Sequence, residues 1–325
     1  MSIELTIADV RAAAARLAPF VLRTPTVESA WLGERLNGKV VVKWESQQLT
    51  GSFKLRGALN KLLLLKERGV DRVVAVSAGN HGLGVAWAAR RLGVRATIVV
   101  PLGAARTKVT AIAREGATLV ERGRDYDEAE RAARSLAYET STEFVSPYND
   151  LEVIAGAATA TLELVEDAVN LLDGPLDALV IPAGGGGLIA GAGVVTRALL
   201  PGLALYGAQP ANARALHEAL RAGRRVEVVD GPTLADGLSG NLEEGTITLP
   251  LTQGVVTDVL LVSEARLAEA MRDLVYFEHQ VVEGSGAVGV AALLDGQLAG
   301  RARVGLLVTG RNVDGDRLRA TLDAR

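Results

Sequence analysis

Lys54 sits in the segment Thr50-Gly51-Ser52-Phe53-Lys54-Leu55-Arg56-Gly57-Ala58, just after a glycine turn and ahead of the apolar-periodic run Leu59–Leu65. The first turn of a helix disfavours an ammonium, which lowers its pKa and helps supply the free amine that a Schiff base requires. Taken alone, the plainer reading of a surface lysine in a first helical turn would prevail. A second segment, Gly184-Gly185-Gly186-Gly187-Leu188, follows the apolar run Ala178–Ile181 and opens a helix of small residues. Several backbone N–H groups can converge there without Cβ obstruction, which makes an anion cradle, most naturally for a phosphate. The alternative is a tight turn with glycines for clearance; four in a row at a strand-to-helix junction favour the phosphate.

Two further segments follow the same pattern. Ser77-Ala78-Gly79-Asn80-His81-Gly82 is another strand-to-helix junction, with Ser77 and Asn80 as N-cap residues and N–H donors for a small anion such as an α-carboxylate. Capping alone is its plainer reading. His81 either shapes this loop or contacts a substrate, and His217 and His279 lie too far off in sequence for metal-ligand spacing. Thr309-Gly310-Arg311-Asn312 follows the last strand, at the end where parallel strands place ligand contacts, or is a simple turn. A dinucleotide fingerprint fits loosely through Gly185, Gly187 and Ala190, but the next strand ends in Gln209 where an acid would hold a ribose, so nicotinamide cofactors are set aside. Gly33–Lys39 imitates a triphosphate loop, yet Val40 replaces the magnesium-binding hydroxyl and a strand follows instead of a helix.

Positioning these loops requires strands that end together. From Asp71 onward β-branched runs alternate with amphipathic segments, the sequence form of an α/β class protein with parallel sheets. Strands are expected at Asp71–Ser77, Arg95–Pro101 and Ala117–Glu121, each followed by a helix, at Gly82–Leu92, Arg106–Glu115 and Asp127–Tyr138. A second series comprises Asp177–Ile181, Leu203–Gln209, Val256–Val262 and Arg303–Val308. Phe144–Asp150 reads as a turn cluster before a helix from Leu151, and Arg221–Asp230 as solvated loop and edge strand.

Composition narrows the function classes. The 325 residues suggest about two domains. With 49% hydrophobic and 22% charged residues the chain can bury a core, which argues against wholesale disorder. Lys and Arg total 35 against 38 Asp and Glu, and the absence of a basic cluster removes the counterion-release term of nucleic-acid binding. The lack of cysteine excludes disulfides, thiolate metal sites and thiol nucleophiles. The start Met1–Asp9 does not have the order of a signal peptide, so a cytoplasmic protein is expected. The uncharged stretch Ala178–Thr196 carries Pro182 and six glycines, and reads as strand, loop and helix instead of a membrane span.

Together the segments resemble the fold-type II pyridoxal-phosphate enzymes, specifically the threonine/serine dehydratase and serine racemase family. The similarity runs over nearly the whole chain, through Arg23–Pro25, Lys43–Glu45, Ser52–Gly57, Ser77–Gly82, Ile154–Gly156, Gly184–Leu188, Ala235–Gly237, Glu283–Ala287 and Thr309–Asn312. It implies a two-domain fold like the β subunit of tryptophan synthase, with an open, mostly parallel sheet in each domain. Residues 1–70 and 148–325 would form the larger domain and 71–147 a smaller inserted one, with dimers or higher homo-oligomers usual. It implies pyridoxal 5'-phosphate bound covalently by Lys54, its phosphate on Gly184, Gly185, Gly186 and Gly187, its phenolic oxygen at Asn80 and its pyridine nitrogen facing Thr309. Phe53, Leu188 and Glu283 complete the cofactor set; for Glu283 a structural salt bridge is the alternative. Ser77, Ala78, Gly79, Asn80 and His81 would hold the amino-acid substrate, and closure of this loop would exclude water.

The implied activity is loss of water from an L-β-hydroxy amino acid to give a 2-keto acid and ammonia. A hydroxyl opposite the ring nitrogen makes a weaker electron sink than a carboxylate would, which suits prompt β-elimination. Family members that racemise have a second serine where this chain has Ala78, and a methyl group carries no proton, so a dehydratase is favoured over a racemase. A divalent metal is not expected, because the acids that hold one in the racemase-like members fall at Gln209 and Ala215. Ala157-Ala158 and the tract Leu238–Gly245 depart from the common threonine dehydratases and leave room for another substrate, such as 3-hydroxyaspartate. No regulatory domain, and hence no feedback by isoleucine, is expected beyond Asp314.

Overall fold

The computed structural model of the chain describes residues 4–323; Met1–Ile3, part of the start read above for a leader, lie outside them. Among the described residues the strands are β1 (Thr26–Glu28), β2 (Lys39–Trp44), β3 (Arg72–Val76), β4 (Arg95–Val100), β5 (Thr118–Glu121), β6 (Glu143–Val145), β7 (Ala178–Pro182), β8 (Ala204–Pro210), β9 (Asp258–Val262) and β10 (Arg303–Val308). They form two sheets, of order β1-β2-β10-β7-β8-β9 and β5-β4-β3-β6. All neighbours pair in parallel except β1, which runs antiparallel to β2 at the edge. The central strands β2, β7 and β10 read as near-continuous Val, Leu and Ile because helices cover both faces and no side of the strand meets water. In the middle of the larger sheet Leu306 lies opposite both Val42 and Val180.

The carboxyl ends of β3, β7 and β10 run into the Ser77, Gly184 and Thr309 segments, which is where parallel sheets present ligands. The helix Lys54–Glu67 links the two sheets. At its start Ser52 bridges Gly310, and the N–H of Phe53 donates to Thr309 O at 3.0 Å, so this end is stitched to the larger sheet. Beyond it, Leu55, Ala58, Leu59 and Leu62 bury themselves against Val73, Ala75, Val85 and Ile98 of the smaller sheet and its covering helix. The helix also crosses Leu151–Leu171 through glycines: a Cβ at Gly57 would lie 2.7 Å from Val153 O, and one at Gly156 2.6 Å from Arg56 O.

Most expected elements fall within a few residues of those observed, and Arg303–Val308 matches at both ends. Two expectations need correction. Phe144 and Val145, read as part of a turn, belong to β6 and pair with Val74 and Ala75; three residues are too few to show a period. Arg221–Asp230 contains no strand: the helix Ala215–Ala222 takes its beginning, and the remainder is irregular. Asn241 serves both backbone groups of Val228, accepting from its N–H at 2.8 Å and donating to its carbonyl at 3.1 Å, so a single amide replaces the ladder.

Candidate active site

A cavity of about 340 Å³ lies between the two sheets, large enough for a small ligand. Phe53, Lys54, the loop Ser77–His81, the segment Gly184–Leu188, Glu283 and Thr309 all line it. Segments far apart in the sequence thus meet around one shared space.

Lys54 is the first residue of its helix, and its Nζ donates to the carbonyl of Pro147 at 2.9 Å. Burial lowers its pKa to about 8, opposed by the nearby Glu283 carboxylate. Loss of hydration is thus the principal cause, where the sequence alone suggested the helix terminus. Glu283 caps the helix Gly284–Leu294, is buried, and accepts a hydrogen bond from Asn80 Nδ2 at 2.6 Å. It forms no salt bridge among the described residues. Burial raises its pKa to about 7, with Asn80 pulling the other way.

This shift has a sign that can be measured. Between the ordinary value of 4.5 and about 7, folded Glu283 keeps a proton that the unfolded chain has released, so stability falls as pH rises through that window. In the cofactor-free protein, Glu283→Gln should therefore lose less thermal stability than the unmodified chain between about pH 5 and about pH 7.5. An identical loss in both proteins would show that Glu283 titrates normally.

The Ser77–Gly82 loop differs from a capped helix start. The N-cap position is Gly79, with no side-chain cap; Ser77 Oγ accepts from Gly79 N–H at 3.0 Å and so shapes the turn. Asn80 is the first residue of the helix, and its side chain turns away from the helix end, donating to Glu283 and accepting from Asn312 Nδ2 at 2.7 Å, because a buried carboxylate is the stronger partner. His81 is buried, its pKa lowered to about 3 by burial and then by Lys54. The neutral ring donates from Nε2 to Val145 O at 3.0 Å, which anchors the loop to β6. Ala78 lines the cavity and carries no ionisable group.

Across the cavity the glycine segment opens the helix Gly187–Leu199, with Gly186 at φ +88°. The N–H groups of Gly184, Gly185, Gly186 and Gly187 have no partner among the described residues. Clearance is required as well: a Cβ at Gly185 would sit 2.5 Å from the Tyr148 ring, and one at Gly187 2.9 Å from Tyr148 Cβ. Thr309 is buried, and its hydroxyl makes a long 3.4 Å bond to Ser285 O. Ala157, Leu238–Asn241 and Asp236 of the quoted Ala235–Gly237 motif also line the cavity, whereas sequence reasoning missed Pro147, Tyr148, Tyr126 and Lys108. Pro147 and Tyr148 sit inside a cluster read only as a turn; Lys108 and Tyr126 begin ordinary amphipathic helices and carry no local signal.

Known proteins resemble this chain over nearly its whole length. Residues 17–310 match the family described as pyridoxal-phosphate dependent enzyme. An L-threo-3-hydroxyaspartate ammonia-lyase of Pseudomonas sp is 41% identical over 94% of this chain and 95% of its own. An L-threonine ammonia-lyase of Thermotoga maritima is 39% identical over 95% of this chain and 76% of its own. Among solved structures, maize serine racemase superimposes with a TM-score of 0.90 at 31% identity, over 98% of this chain and 96% of that one. Among the described residues, no helix is long and apolar enough to cross a membrane.

Proposed function

The chain belongs to the pyridoxal-phosphate dependent enzymes, and from that premise we propose that it removes water from an L-β-hydroxy amino acid of the threonine or serine type. The released enamine tautomerises to an imine, and a water adds back to hydrolyse it to a 2-keto acid and ammonia. The residues fit the cofactor: unpartnered N–H groups in a glycine loop suit its phosphate, and a lysine with its pKa lowered to about 8 faces the same cavity. When bound, pyridoxal phosphate withdraws electrons from the substrate's Cα and acidifies its proton.

The chain's own groups then have distinct tasks. Gly184–Gly187 would hold the phosphate, and Thr309 would offer a hydroxyl, not a charge, to the ring nitrogen. The free N–H groups of Ala78, Asn80 and His81 bind the substrate carboxylate, as a helix start favours an anion. The Lys54 amine would take the Cα proton and, as the ammonium, could pass it to the β-hydroxyl, which leaves as water. Asn80, held by Glu283 and Asn312, would offer its amide to the cofactor's phenolic oxygen.

The observation that carries elimination over racemisation is Ala78. Racemisation needs a proton donor or acceptor on each face of the Cα carbanion, while elimination needs the lysine face and an acid for the leaving group. Keto acid should form faster than the D-enantiomer by at least about tenfold, a barrier difference of roughly 1.4 kcal/mol. Ala78→Ser should raise racemisation relative to elimination. Chiral chromatography of residual substrate beside a keto-acid assay decides the matter; rapid appearance of the D-enantiomer in the unmodified enzyme would overturn this reading. A further candidate is a β-hydroxy amino acid with a distal carboxylate, such as the L-threo-3-hydroxyaspartate named for the 41% identical relative; Lys108 lines the cavity and would have to exchange Asp236, 2.7 Å away, for that carboxylate. Including it in the substrate panel ranks the two.

A further inference from the structure

The tract Leu238–Gly245 enters the cavity wall at Leu238–Asn241 and then turns to the outer side of the glycine loop. There Glu243 is buried, and its carboxylate accepts three hydrogen bonds: from Arg134 Nη2, from Ser146 Oγ at 2.9 Å and from Asn149 Nδ2 at 2.9 Å. Its backbone N–H donates to Tyr148 Oη at 2.8 Å. The Tyr148 ring in turn occupies the space that a side chain at Gly185 would need, and the Cβ and backbone of Tyr148 the space that one at Gly187 would need, so this residue backs that loop. Arg134 belongs to the helix Tyr126–Glu139, which packs on Val74, Val76 and Val99 of the smaller sheet.

We propose that Glu243 is a positioning residue that holds the glycine loop in its phosphate-binding shape through Tyr148, and so makes cofactor affinity depend on a contact with the smaller sheet. The carboxylate is held by three donors from two parts of the fold, the helix Tyr126–Glu139 and the Ser146–Asn149 turn that carries Tyr148. A loop of four glycines has little rigidity of its own, and a pre-shaped anion site needs an external brace. Tyr148 supplies the brace, and Glu243 fixes where Tyr148 stands. The inference rests on the reading of Gly184–Gly187 as the phosphate site.

Titration of the full-length, cofactor-free protein with pyridoxal 5'-phosphate and with phosphate-free pyridoxal, followed by absorbance, separates the two ideas. The unmodified protein should prefer the phosphorylated form by at least about tenfold, as expected of several N–H donors on a dianion. No preference would overturn the phosphate-site reading itself. Given that preference, Glu243→Ala should weaken pyridoxal 5'-phosphate by about tenfold while pyridoxal changes by less than about twofold. Equal weakening of both, or of neither, would overturn the positioning role. Tyr148→Phe keeps the ring and removes only the hydroxyl, so it decides the question if Glu243→Ala does not fold. It should weaken pyridoxal 5'-phosphate alone, by about two- to fivefold; unchanged affinity would overturn the route through Tyr148.

Discussion

Lys54→Ala is expected to reduce keto-acid release by at least about 10³-fold, the scale of losing both the covalent attachment and the proton acceptor at Cα. Borohydride should fix the cofactor to the unmodified protein at Lys54 and leave the variant unlabelled. The wall offers a second amine, Lys108, but its Nζ is paired with Asp236 at 2.7 Å, and a salt-bridged ammonium is no nucleophile. Peptide mapping that found the reduced adduct on Lys108, or on any other lysine, would sink the assignment. Exogenous small amines should restore part of the activity of Lys54→Ala, because the cavity and its anion sites stay intact.

The second large effect concerns stability. Arg56, two residues beyond Lys54, is completely buried and donates to Glu45 from Nε at 2.8 Å and Nη2 at 2.7 Å. It also donates to Glu163 at 2.7 and 2.8 Å, while Lys43 Nζ reaches the same carboxylate at 2.7 Å. Burial alone would raise the pKa of Glu45, yet the adjoining guanidinium outweighs it and holds the group below the ordinary 4.5. Arg56→Ala removes the cation common to two acids and strands Glu45 without water, at a cost of about 3–5 kcal/mol. Urea unfolding of the cofactor-free proteins measures it. A loss under about 1 kcal/mol would mean that water enters and replaces the guanidinium. The stabilisation from Glu45 is present above its ordinary pKa and lost as pH falls through its lowered one, so the gap between the two proteins should narrow in acid.

The four loops that line the cavity were legible to different degrees. Glycines at 184–187 announce themselves at short range, whereas Lys54 alone reads as a surface lysine and was legible only through the family resemblance of the segments taken together. The long parallel strands were legible at short range too, as uninterrupted apolar runs. The hidden features depend on pairs far apart in sequence. Glu243 and Tyr148 are ordinary letters until β6 and the Leu238–Gly245 tract meet. Asn80 looked like a cap because a local rule applied, and Glu283, 203 positions away, overrode it. β6 was missed because its three residues pair only once β3 is already in place.

The core shared between the Lys54 helix and the smaller sheet bears on how this protein can be divided. Residues 71–147 look like a cassette in the sequence, bounded by turns. Cut out at those limits, the segment would leave Val73, Ala75, Val85 and Ile98 facing solvent, because Leu55, Leu59 and Leu62 would remain with the other piece. A chimaera that exchanges the smaller sheet between relatives should therefore carry residues 54–147 together, and must also match the helix Leu151–Leu171 and the Arg56 partners Glu45 and Glu163, on which the other side of the Lys54 helix rests. Lys54 then travels with the Ser77–Gly82 loop, while Gly184–Gly187 stay with the recipient. A recombined enzyme of this kind would inherit its amine from one parent and its anion cradle from the other.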